Sequence, residues 1–79
     1  MDYNIDGLYF ECTCGACPEQ YDVFKGNVEV AYIRERHGHC RIDMPFGGKT
    51  IHSCRGEEMD MELFAKIINH NLEKENEKE

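Results

Sequence analysis

The chain has 79 residues, 41% of them hydrophobic, with nine Lys/Arg against 16 Asp/Glu for a net charge of −7. That length gives one domain with a thin core, and that composition excludes wholesale disorder. The acidity argues against indiscriminate nucleic-acid binding, and no segment approaches the roughly 20 apolar residues of a membrane span. The opening residues Met1 to Asp6 lack the basic start and apolar stretch of a signal peptide, so a cytoplasmic setting with reduced thiols is expected. Five cysteines, an odd number, argue against a purely disulfide framework.

In chain order, Leu8 to Cys12 is aromatic-rich and predicts a first strand, and the small residues from Thr13 to Pro18 predict a loop. Tyr21 to Phe24 reads as a strand entering a Gly26-Asn27 turn. A short helix opening at Pro18 and stopping at Gly26 is the alternative there. Val28 to Glu35 carries the strongest strand pattern, and His39 to Met44 is its expected antiparallel partner across a His37-Gly38 turn. That turn would pair Arg36 with His39, Glu35 with Cys40, Arg34 with Arg41, Ile33 with Ile42, Tyr32 with Asp43 and Ala31 with Met44. One face is then apolar apart from Glu35, and the other carries Tyr32, Arg34, Arg36, His39, Arg41 and Asp43. A one-residue slip would mix the faces, so the apolar pairing supports the register.

Phe46 to Lys49 predicts a further turn, and Thr50 to Cys54 a last strand. From about Asp60 to Glu73 the period becomes helical, with Met61, Phe64, Ile67, Ile68 and Leu72 on one stripe and Asp60 as N-cap. The expected architecture is α+β, an antiparallel sheet of four to five strands with one C-terminal helix packed on one face. Residues 1–72 form the domain and 73–79 an acidic, frayed tail.

Two features could carry chemistry. Cys14-x-x-Cys17 has the spacing of half a zinc site, but the remaining donors His37, His39, Cys40, His52 and Cys54 are irregularly spaced. Zinc is therefore the only cofactor in view, as part of an alternative reading in which the chain is a metal-stabilised structural or interaction module. A redox role for Cys14 and Cys17 would need a helix start in a βαβ setting, which the pattern lacks. The second feature is the Tyr32, Arg34, Arg36, His39 and Arg41 face, in a region where residues 31–55 carry five Lys/Arg against two Asp/Glu. Guanidinium forks suit phosphate and carboxylate, and Tyr32 offers a surface for a base or a guanidinium. The plainer explanation, a solvated face of a half-buried sheet, fits the same residues. A chain this short leaves little room for a substrate cleft, so a binding protein is expected rather than an enzyme.

The stretch Cys17-Pro-Glu-Gln-Tyr-Asp-Val-Phe24, with Val30-Ala-Tyr-Ile-Arg34-Glu-Arg36-His37-Gly38, resembles a signature of short uncharacterised phage and prophage proteins. The likeness covers residues 14–44. It implies a small phage accessory protein, with an anti-defence role among the options, and no activity comes with it. A weaker likeness is to the three-strand-plus-helix DNA-binding domains of phage integrase arms and plant ethylene-response factors, from whose basic character the net charge departs. The combined expectation is a non-enzymatic, cytoplasmic protein, homo-oligomeric because its core is small. It would bind an anionic partner (nucleotide, nucleic acid or acidic protein surface) away from any membrane.

Overall fold

The computed structural model describes residues 2–13, 20–44 and 48–77. It is α+β, with six strands in one antiparallel sheet ordered as in the sequence, β1 (Tyr3–Ile5), β2 (Leu8–Cys12), β3 (Gln20–Lys25), β4 (Val28–Arg36), β5 (His39–Asp43) and β6 (Thr50–Arg55). A short 3-10 turn, Gly56–Glu58, leads into α1 (Met61–Glu77). The strand beyond the four or five expected is β1. It pairs Tyr3 with Phe10 and Ile5 with Leu8 through an Asp6-Gly7 turn in which both residues have positive φ. Three residues make too short a run for a period-2 pattern, although Asp-Gly is itself a strong hairpin signal.

The β4–β5 pairing runs from Arg36 opposite His39 to Tyr32 opposite Asp43, in the register expected from the apolar pairing. Positive φ at His37 and Gly38 matches a two-residue type I′ turn, whose twist suits the flanking strands. Residues 20–25 are strand, not helix. Two bulges correct the simple alternation. Val23 faces Ala31 while Phe24 faces Glu29, so Val30 is an extra residue in β4 and both Val30 and Ala31 are buried. In β6, Ile42 faces His52 and Asp43 faces Thr50, which leaves Ile51 as the extra residue.

One face of the sheet and one stripe of α1 make the core. Leu8, Phe10, Tyr21, Val23, Ile33, Cys40 and Ile42 from the strands are buried with Phe64, Ala65 and Ile68 from the helix. Met61, Ile67 and Leu72 pack against its margin, so the expected stripe holds, with Ala65 added to it. His52 stands edge-on to Phe64, with ring centroids 5.7 Å apart. Asp60 caps α1, its Oδ1 accepting the N–H groups of Glu62 at 3.0 Å and Leu63 at 3.3 Å. At the far end the helix continues past Glu73 to Glu77, because residues 73–77 contain no glycine or proline to stop it. Asn69 Nδ2 donates to the Asp6 carbonyl at 3.2 Å, tying α1 to the β1–β2 turn.

Candidate anion-binding site

The outer face of the sheet is built from cross-strand rows. Glu11, Asp22, Tyr32, Asp43 and Thr50 form one row across β2 to β6. Gln20, Arg34, Arg41 and Ser53 form the next, and Arg36, His39 and Arg55 the one nearest the His37-Gly38 turn. An acidic row therefore adjoins a basic end.

At that basic end, Arg34, Arg36, His37, His39 and Arg41 line a pocket of about 240 Å³. All the arginines expected from the sequence meet there, together with His39. Tyr32 does not line it. The Arg34 Cζ lies 5.6 Å from the Tyr32 ring centroid, so the ring supports the guanidinium from the side in a cation–π contact. His37 does line it, although the sequence suggested only a turn position and a spare metal donor for this residue. Its signal was the left-handed turn itself, which orders the residue between two strands of the site. Arg55, opposite His39, extends the same face and pairs with Glu57 in an exposed bridge of 3.4 Å.

The electrostatics of the pocket are unbalanced. Arg34 and Arg41 are directly opposed, and like charges in that position cost about 0.2–1 kcal/mol. Arg41 Nε is bridged to Asp43 at 3.3 Å, and the Thr50 hydroxyl donates to the other oxygen of Asp43 at 2.6 Å. Among the described residues, Arg34 Nε is buried with no hydrogen-bond partner. A buried donor left in this state costs about 1–3 kcal/mol, and such exceptions require an explanation.

The turn that carries His37 is held from behind. Glu35 Oε1, on the opposite side of β4, accepts the Gly38 N–H at 3.1 Å. Gly56 N–H donates to the Gly38 carbonyl at 2.7 Å. Glu35, the one acid on the otherwise apolar face, is thus a clamp on the hairpin tip.

The metal reading falls mostly elsewhere. Cys14 and Cys17 lie outside the described residues, as does most of the loop expected at Thr13 to Pro18 and the Phe46-Gly47 half of the expected turn. Of the remaining donors, His39 lies on the outer face, while Cys40, His52 and Cys54 lie on the core side. Among the described residues, no group of three or more His, Cys, Asp or Glu side chains could hold a metal ion. No described helix is long and apolar enough to cross a membrane.

At the other end of the sheet, Asp2 accepts the Tyr9 hydroxyl at 2.5 Å and the Cys12 N–H at 2.9 Å. These bonds, the Tyr9 one foremost, hold the Asp2 carboxyl below its usual range, and the same bond raises the Tyr9 phenol. The bonds pin the chain just before β1 to β2, and nothing about them suggests chemistry.

No family model, curated protein or solved structure matches this chain.

Proposed function

We propose that the chain is a non-enzymatic binding protein whose anionic partner docks on the Arg34/Arg36/Arg41 face, with His37 and His39 at its rim. The observation that carries this reading is one pocket lined by Arg34, Arg36 and Arg41, with the Arg34 Nε buried and without a hydrogen-bond partner among the described residues. An ordinary solvated sheet face spreads its charges. Here three guanidiniums converge in a chain whose net charge is −7, and that arrangement costs stability unless an anion relieves it. Tyr32 is a positioning residue in this reading, since its ring holds the Arg34 guanidinium.

In the phage setting implied by the sequence likeness, such a protein would sequester an anionic host signal or cover an acidic surface of a defence protein. Homo-oligomerisation belongs to the same proposal, with Tyr9 and Phe24 paired and half-buried on the outer face as the surface for a second copy. The test is binding to host-cell anions by the native chain and by the Arg34→Ala/Arg36→Ala variant, with mass measured under native conditions. Loss of binding by a folded variant supports the reading. Binding that survives both substitutions removes it.

A further inference from the structure

The pocket's size, its donors and its acidic neighbour together narrow the anion to one class. At about 240 Å³ it is smaller than the roughly 300–1,000 Å³ of sites that enclose a drug-sized ligand. It admits a compact group and the atoms joined to it. Because it is open on one side, the rest of a larger molecule can lie outside it.

The donor set is richer than a carboxylate uses. One guanidinium fork satisfies the two coplanar oxygens of a carboxylate. Here Arg34 and Arg41 face each other across β4 and β5, and Arg36 stands one row nearer the turn. Arg34 lines the pocket with its guanidinium held against Tyr32, and its Nε is buried without a partner among the described residues. Arg41 has only Nε engaged by Asp43, which leaves its terminal Nη pair outside that bridge. Three guanidiniums around one pocket suit a tetrahedral dianion with three unesterified oxygens. A phosphodiester, with one charge and two such oxygens, uses fewer of them.

The neighbouring row decides how the group enters. Glu11, Asp22 and Asp43 lie beside the arginines, toward the middle of the sheet. A polyanionic strand laid across the sheet would run onto these carboxylates and be repelled. A terminal group entering from the His37-Gly38 end meets Arg36, His37 and His39 before it reaches that row, with Glu57 at this end already paired to Arg55.

We infer that the pocket formed by Arg34, Arg36, His37, His39 and Arg41 takes a terminal phosphate, a phosphomonoester dianion, whether on a small molecule or at the phosphorylated end of an oligonucleotide. This inference rests on the anion-binding reading above.

The test is an NMR titration of the full chain that follows the arginine Nε–Hε signals. The probes are phenyl phosphate, diphenyl phosphate, a glutamate-rich peptide, and one short oligonucleotide with either a 5′-phosphate or a 5′-hydroxyl. Phenyl phosphate is expected to shift the Arg34 signal and to bind about tenfold or more tightly than the diester. Arg34→Lys, which keeps the charge and loses the Nε–H, should weaken phenyl phosphate by about tenfold or more. Arg36→Gln, at an exposed position where folding is not at stake, should also weaken it. Preference for the 5′-phosphate oligonucleotide over its 5′-hydroxyl form supports the inference with a nucleic-acid end as the source; response to phenyl phosphate alone supports it with a small molecule as the source. Equal binding of monoester and diester, or binding of both oligonucleotides with equal affinity, overturns the inference and leaves the anion-binding reading standing. Binding of the glutamate-rich peptide alone does the same. No change at any arginine signal with any probe, in a folded chain, overturns both.

Discussion

Substituting Gly56 by alanine tests whether the hairpin tip is held as described. The backbone at Gly56 does not need glycine for its φ, so the effect comes from the side chain it lacks. An added Cβ would lie 2.8 Å from Glu35 Oε1, 3.2 Å from its Cγ and 3.3 Å from its Cδ. All three atoms belong to one side chain, so Glu35 must swing away, and its bond to the Gly38 N–H is lost. A hydrogen bond to a charged group is worth about 1.5–3 kcal/mol, and this one is exposed and sits at the low end. Against it, alanine restricts the unfolded chain and returns about 0.4–1 kcal/mol. The net expectation is a destabilisation of roughly 0.5–2 kcal/mol, or a fall in Tm of about 2–16 °C for a domain of this size. Urea denaturation followed by circular dichroism measures it, and the Gly38 amide shift reports the local cause. In a Glu35→Ala background the same substitution should be neutral or slightly stabilising, a coupling that a double-mutant cycle reads directly. An equal cost in both backgrounds would refute the clamp.

Phe64→Ala removes the largest buried side chain of α1 and should cost about 3–5 kcal/mol, at least about a quarter of the roughly 4–12 kcal/mol expected for 79 residues; thermal melting checks it. Asp60→Ala should cost about 0.5–2 kcal/mol by denaturation, whereas Asp60→Asn should lose far less. Because the Asp2 carboxyl is held below its unfolded value, its contribution is present above that value and lost as pH falls through the folded one; Asp2→Asn should flatten the acid limb of the stability–pH curve. The Tyr9 phenol, raised from its ordinary value near 10, loses its contribution as pH climbs through the raised value, so Tyr9→Phe should flatten the alkaline limb.

How much of this was legible in the sequence differs from element to element. The β4–β5 register was readable because Ile33 and Ile42 had to share a buried face, and every arginine position followed from that pairing. The N-cap of α1 was readable because a carboxylate before an apolar stripe has a local job that needs no tertiary context. β1 was not, since three residues carry no periodicity and their burial depends on β2 and α1 arriving beside them. Nor were the bulges, because Val30 and Ala31 read as simple alternation until the partner strand shows which residue is extra. The role of Glu35 was hidden for the same reason: the groups it meets are the Gly38 amide and the bare Gly56, and the latter lies 21 positions along the chain. Tyr32 was placed on the correct face, but only geometry distinguishes a ring that holds Arg34 from one that receives a ligand.

The strict sequential order of the strands has a consequence for how the chain folds. Every strand pairs with its neighbour in the sequence, so the sheet can grow one neighbour at a time, with little entropy spent on distant encounters. The helix that covers the apolar face follows all six strands and touches β1, β4 and β6, the two edges included. During synthesis, the faces of Phe10, Val23, Ile33 and Ile42 therefore stand uncovered until Phe64 and Ile68 have emerged. That interval, rather than the finished fold, is when the chain is most exposed to aggregation.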